Sequence, residues 1–315
     1  MRMPRAAVAP TGRRARRTPV ASRARAVLLP LAFAIGVASM AGCTPQAGGP
    51  AASAPPAALP AGITASVLQS RQDVVDGKLV VQLDNATGDA LEFAAFEVSA
   101  PGLEPGLRFE GPRTIPDGRS VQYRVELGGT RCDGDAGPAE VALEVSGGGG
   151  GEAVGTIEAD DLYDTLPRLQ NSGCLAGAVA DVAAFTLAEH LRSTGSGTDR
   201  RAFLDISVEP TGAASGSVDL SEVLGTTLLS AEDGLNWSTT TAHIEASDAP
   251  STISLPVRPA RCDPHAGAED KRGTILPLVV TTSEGWSGQY EVRASATLKQ
   301  DLFAYFTERC GLPSN

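Results

Sequence analysis

The stretch SVQYRVELGGTRCD at residues 120–133 occurs a second time, in altered form, as PSTISLPVRPARCD at residues 250–263. Aligned without gaps, the two copies place Tyr123 opposite Ile253, and both end in Arg-Cys-Asp. Apolar and polar residues alternate in the first part of each copy, which is the period of a half-buried β-strand. The pair therefore predicts an internal repeat built from β-strands.

Further short alternating segments surround the two copies. They are Lys78 to Leu83, Leu91 to Val98, Ala139 to Val145 and Ile275 to Val280. Turn-forming sequences separate them, among them Pro116-Asp117-Gly118 and the five glycines at 147–151. Many short strands at such spacing favour an all-β sandwich over a regular alternation of strands and helices.

Each copy also leads to a closing segment with helical spacing. Leu162 and Leu166 are four residues apart, as are Leu298 and Leu302 in the second copy, so each pair lies on one face of a helix. The acidic run at residues 158–164 opens the first of these helices, where carboxylates favour the positive end of the helix dipole. We therefore expect each repeat to end in a short helix.

Two tandem β-sandwich domains follow from the repeat, at residues 63–176 and 177–315. The second domain is expected to open with a hairpin of residues 181–191 and 202–208 around a polar turn at 193–199, although the periodicity of 183–192 also fits a helix. If the first segment is a strand, almost no linker separates the domains.

The N-terminus has the pattern of an export signal. Arginines are its only charged residues, and an uncharged stretch of Ala26 to Gly42 follows, too short for an ordinary bilayer span of about 20 residues. The sequence Met40-Ala41-Gly42-Cys43 resembles the lipobox of bacterial lipoproteins, with Met40 where that family usually has Leu. An ordinary secretory signal or an uncleaved anchor is the alternative.

This resemblance implies cleavage before Cys43 and attachment of diacylglycerol to its sulfur. Residues 1–42 would then be a signal peptide, and residues 43–62, rich in Pro, Ala and Gly, a disordered tether. The mature protein is expected on the outer face of the cytoplasmic membrane, with the membrane as a partner through the lipid anchor. The remainder resembles uncharacterised lipoproteins with immunoglobulin-like repeats, so we expect immunoglobulin-like β-sandwiches.

Four cysteines remain, one pair in each repeat. An even count outside the cytoplasm favours disulfides, and the repeat selects the pairs Cys132–Cys174 and Cys262–Cys310. Each bridge is worth about 4 kcal/mol in the chain-entropy model of unfolding. No C-x-x-C motif is present, which argues against a metal site at these cysteines.

The charge balance excludes one class of partner. Eight of the 26 Lys and Arg residues and none of the 37 acids lie in residues 1–42, so the rest carries 18 basic against 37 acidic residues, a net charge of −19. Such a chain repels phosphate backbones, and no nucleic-acid partner is expected.

The densest polar cluster is RCDPHAGAEDKRGT at residues 261–274. Asp263, His265, Glu269 and Asp270 could bind a partner or hold a divalent cation, but the plainer interpretation is a solvated loop. Trp286, in a turn-like context, is a further candidate binding residue because an exposed aromatic can anchor a contact.

No H-E-x-x-H, G-x-S-x-G, Walker or dinucleotide-binding motif occurs in the sequence. We therefore predict a non-catalytic binding or scaffolding lipoprotein with no cofactor and no metal, and with a protein or cell-wall partner. The alternative is an envelope metal-dependent enzyme or metal-binding factor that uses the 263–272 cluster.

Overall fold

The computed structural model describes residues 57–146, 152–238, 240–263 and 272–313. These residues form mostly β-structure, with three α-helices. The strands are β1 (Ile63–Leu68), β2 (Lys78–Asn85), β3 (Leu91–Ser99), β4 (Leu107–Ile115), β5 (Arg119–Glu126), β6 (Ala139–Ser146), β7 (Glu152–Asp160), β8 (Ala183–Leu187), β9 (Arg192–Thr194), β10 (Arg201–Pro210), β11 (Ser217–Val223), β12 (Leu229–Ala231), β13 (Ala242–Glu245), β14 (Ser251–Pro259), β15 (Ile275–Thr282) and β16 (Ser287–Arg293). The helices are α1 (Arg71–Asp76), α2 (Thr165–Val182) and α3 (Ala296–Arg309).

The N-terminal half, β1 to β7, forms one seven-stranded sheet in the order β4-β3-β6-β7-β1-β2-β5. All its neighbours are antiparallel except β1 and β7, which pair in parallel through Ala65 opposite Ala159. This half was predicted as a sandwich of two sheets. The parallel pair joins what would be two separate sheets into one.

This sheet curls so that its two edge strands, β4 and β5, come together. Aromatic rings fill the space between them: Tyr123 of β5 lies 4.8 Å from Phe109 of β4 and 5.5 Å from Phe93 of β3, between ring centroids. Since β5 and β3 lie far apart in the strand order, these contacts hold the curled sheet closed around its core.

The C-terminal half, β8 to β16, consists of two sheets. The first sheet has the strand order β12-β14-β10-β8, and the short strand β9 also pairs with β10. The second sheet has the order β13-β11-β15-β16. The same order appears in the N-terminal sheet, where β5-β2-β1 matches β14-β10-β8 and β4-β3-β6-β7 matches β13-β11-β15-β16. The two repeat copies, β5 and β14, thus occupy equivalent positions.

Both predicted disulfides are confirmed. Cys132 bonds to Cys174 with their Cα atoms 5.7 Å apart, and Cys262 bonds to Cys310 with a Cα separation of 5.2 Å. The first joins the loop after β5 to the middle of α2, and the second joins the loop after β14 to the residue that follows α3. Two disulfides indicate folding in an oxidising compartment. In the described part of the chain, no helix is both long and apolar enough to cross a bilayer.

Helix α2 departs from the prediction at both ends. It begins at Thr165, so the first residues of the acidic run belong to β7 and Leu162 lies outside the helix. It ends at Val182, so the predicted domain boundary at 176 and 177 falls within it. Leu166 packs in the core of the N-terminal half, whereas Val179 packs in the core of the C-terminal half.

Segment 183–192, which periodicity left open, begins with strand β8 and not a helix. The predicted tether, residues 43–62, includes residues at its C-terminal end that are part of the folded protein. The Ala57 amide donates to the Glu152 carbonyl (3.2 Å), and the Val154 amide donates to the Ala57 carbonyl (2.9 Å). Leu59 then packs against the core.

Candidate binding surface

The predicted 263–272 cluster lies mostly outside the described residues, which exclude His265, Glu269 and Asp270. Asp263 is half-buried next to the Cys262 disulfide, and the Arg272 guanidinium pairs with the Glu291 carboxylate. Among the residues that the structure describes, no three His, Cys, Asp or Glu side chains are arranged to hold a metal ion. The metal hypothesis for this loop therefore stays a prediction.

Both tryptophans pack against the C-terminal core. Trp286 lies in the turn between β15 and β16, as its sequence context indicated, but its side chain is half-buried against that core. Trp237 is 4 % exposed, and its indole Nε1 donates to the Pro256 carbonyl at 2.7 Å. Trp237 therefore stabilises the core and offers no ring to a partner.

Two of the three most exposed large apolar side chains of the described residues are neighbours between β7 and α2, and the third is Leu235. Leu162 is 78 % exposed and Tyr163 is 68 % exposed, side by side in residues 161–164, here called the 161–164 turn. Exposed carboxylates of Asp160 and Asp164 flank the pair. The turn thus presents two large apolar groups within an acidic border.

Both ends of the turn are fixed. Asp160 is the last residue of β7 and pairs with Ser66 of β1. At the other end, the Asp161 carboxylate accepts hydrogen bonds from the Thr165 amide (2.7 Å) and the Leu166 amide (2.8 Å), which caps α2. The exposed side chains therefore extend from a backbone that is already held in place.

The backbone of the turn is also strained. Asp164 has φ of 50°, and among the described residues it is the one non-glycine with positive φ. The left-handed conformation costs an L-residue roughly 1–2 kcal/mol, less for Asp, and such outliers cluster at functional sites. Leu162 and Tyr163, directly before this residue, lie outside the core.

Comparisons with known proteins identify no relative. No protein-family model and no curated protein matches the sequence. Similar solved structures include red sea bream transglutaminase, at 12 % identity and TM-score 0.23, where the match covers 74 % of this chain and 31 % of that chain. They also include calcium binding domain CBD12 of CALX1.1, at 10 % identity and TM-score 0.20, where the match covers 70 % of this chain and 76 % of that chain.

A third similar structure is the CsuC-CsuE chaperone-tip adhesion subunit complex of Acinetobacter baumannii, at 13 % identity and TM-score 0.19, with 70 % of this chain and 92 % of that chain covered. The chain spans about a third of the length of the transglutaminase. TM-scores this low carry no argument about function.

Proposed function

We propose that this chain is an extracytoplasmic lipoprotein that binds a protein partner through the 161–164 turn. The lipobox-like sequence at residues 40–43 supports Cys43 as the anchor, and the two disulfides support an oxidising, extracytoplasmic compartment. Acyl chains on Cys43 hold the protein on the outer face of the cytoplasmic membrane. The proposal assigns no catalytic step to the chain.

The binding part consists, in this proposal, of two tandem immunoglobulin-like domains that arose by duplication. The equivalent strand orders of the two halves and the equivalent disulfides support this. Helix α2 belongs to both cores and connects the domains without a flexible linker. A fixed arrangement of two domains suits a scaffold, because partners are held at a set separation.

The main observation behind this proposal is the exposure of two adjacent large apolar side chains, Leu162 and Tyr163. Because the backbone of the turn is already ordered, binding through these side chains costs little backbone entropy, and tyrosine is enriched among the residues that dominate interface energies. The carboxylates of Asp160 and Asp164 favour a partner surface with an apolar pocket bordered by basic residues. They disfavour insertion into an anionic bilayer.

Photo-crosslinking in intact cells tests this proposal. A benzophenone amino acid replaces Leu162 in one strain and Leu235 in a matched control, since Leu235 is equally exposed at 77 % but lies in the C-terminal half. We expect a discrete protein adduct from position 162 and none from position 235. Asp160→Lys should weaken the adduct several-fold, because it removes the complementary charge.

Protein adducts of equal yield from both positions would contradict the proposal, as would the absence of any protein adduct at 162. Adducts to lipid alone would assign the turn to the membrane instead. Thermal unfolding of each variant, with both disulfides intact, controls for misfolding.

A further inference from the structure

A separate cleft of about 700 Å³ lies between α1, the loop after β5 and the first turns of α2. Its size is within the range of small-molecule sites in proteins. The surface inside it is mostly apolar and comes from the side chains of Val74, Leu103, Leu127, Pro167 and Leu169. The 161–164 turn is not part of its lining.

The apolar surface is continuous with the core of the N-terminal half. Leu103 is 4 % exposed, and both Leu127 and Leu169 are half-buried and pack against that core. Val74 projects from α1 and is 42 % exposed, so water covers a large apolar group at one wall. An apolar ligand that replaces this water would gain binding free energy in proportion to the area covered.

The walls of the cleft are fixed before any ligand binds. Helix α1 is held by Asp73, whose carboxylate accepts a hydrogen bond from Arg124 Nε of β5 at 2.7 Å. The loop after β5 is bonded to α2 by the Cys132–Cys174 disulfide. A preformed site spares the ligand the cost of ordering its walls.

A positively charged side chain, that of Arg168, lies at the rim of the cleft. The Arg168 Nε donates to the Asp164 backbone carbonyl at 3.3 Å. Within the described ranges no carboxylate forms an ion pair with this guanidinium, although residues 57–176 hold 19 acids and only 8 basic residues. In contrast, Lys78 near the cleft is paired with Glu126 at 3.2 Å. Arg168 is therefore available to an anion.

We infer that the cleft binds a single-chain anionic amphiphile of the long-chain fatty acid class. The alkyl chain would lie against Leu127, Leu169 and Val74, and the carboxylate would pair with the Arg168 guanidinium, whose planar donors match a carboxylate. This inference goes beyond the proposed protein contact and does not depend on it.

Photoaffinity labelling of the full mature chain in discs of zwitterionic phospholipid tests the inference. The probe is a fatty acid with a diazirine in its alkyl chain, and the matched fatty alcohol carries no charge. We expect adducts in the peptides that contain Val74, Leu127 and Leu169, with the acid labelling several-fold more than the alcohol. An excess of unlabelled palmitate should remove these adducts.

Variants at the rim and wall sharpen the test. Arg168→Gln should lower labelling by up to about five-fold, the effect of losing one solvent-exposed ion pair, whereas Arg119→Gln, an exposed arginine outside the cleft, should not change it. Val74→Asp should abolish labelling by placing a charge on the wall. Val75→Asp is its control, since Val75 is similarly exposed at 47 % on the same helix but does not line the cleft.

Labelling scattered outside these peptides would overturn the inference, as would equal labelling by acid and alcohol or equal effects of the two valine variants. Competition by a lysophospholipid but not by palmitate would also overturn it, and would assign the site to a phospholipid. Leu162→Ser should leave labelling unchanged, so failure here and failure of the proposed protein contact can be told apart.

Discussion

Gly173 of α2 packs directly against Thr130, so closely that a methyl group at position 173 would overlap the Thr130 side chain. This contact lies beside the Cys132–Cys174 disulfide, with Thr130 Oγ1 3.8 Å from Cys174 Sγ. A disulfide sulfur has no hydrogen, so the Thr130 hydroxyl donates in this contact. The absence of a side chain at Gly173 lets the helix approach the loop.

Gly173→Ala should therefore lower the free energy of unfolding, by about 1–3 kcal/mol for an overpacked contact. Gly177→Ala is the matched control, because the same helix has open space around Gly177. It should raise stability by up to about 1 kcal/mol through helix propensity. Urea unfolding of both variants measures the difference, and equal effects would show that the helix does not approach the loop this closely.

Asp161→Ala should destabilise the start of α2. The variant loses the carboxylate that accepts from the Thr165 and Leu166 amides, and a lost cap costs about 1 kcal/mol. Asp160→Ala, at an exposed neighbouring position, should have little effect. Urea unfolding measures the free energy of unfolding of both variants. Equal values for the two would mean that Asp161 does not cap the helix.

Because of Asp73, the free energy of unfolding should depend on pH. Burial raises the pKa of Asp73, but hydrogen bonds from Ser70 and Arg124 outweigh this and hold the pKa below its ordinary value. The stabilisation is therefore present above the unfolded-state pKa of about 4 and is lost as the pH falls through the lower folded-state pKa. Asp73→Asn should unfold more easily than wild type at neutral pH.

The difference between Asp73→Asn and wild type should shrink as the pH drops below about 4. Chemical unfolding across this pH range measures it, with Asp76→Asn, an exposed change in the same helix, as control. A difference that stays constant down to the acid limit would contradict the predicted pKa shift.

Thr165→Val should stabilise the protein. The Thr165 hydroxyl is buried and has no hydrogen-bond partner among the described residues, and valine has nearly the same shape. Removing an unsatisfied buried hydroxyl is worth about 1–3 kcal/mol. Thermal unfolding against Thr156→Val, at an exposed position, checks this prediction. A lower melting temperature for Thr165→Val would indicate that the hydroxyl has a partner.

The alternation of apolar and polar residues and the internal repeat were sufficient to predict the strands with the strongest pattern. β5 and β14 follow the predicted period, and the repeat that they define was enough to select the correct disulfide pairs. Strand β4 was not predicted, because Gly111 and Pro112 lie within it and these residues usually interrupt strands. The structure explains the exception, since β4 is an edge strand, where proline is tolerated.

The 161–164 turn could not be predicted from the spacing of Leu162 and Leu166. That spacing fits a helical face, yet β7 continues to Asp160 in parallel pairing with β1, and α2 begins only at Thr165. Residues 94 positions apart in the chain make this pairing, Ala65 with Ala159 and Ser66 with Asp160, so no local pattern contains it. One local signal was present in Asp161, a residue type that commonly caps helices.

The central claim, a mature protein held outside the cytoplasm by acyl chains on Cys43, is tested most directly by mass spectrometry of its N-terminal peptide. We expect a peptide that begins at Cys43 and carries the mass of a diacylglyceryl group. A peptide with unmodified Cys43, or one that continues upstream through Gly42, would contradict it.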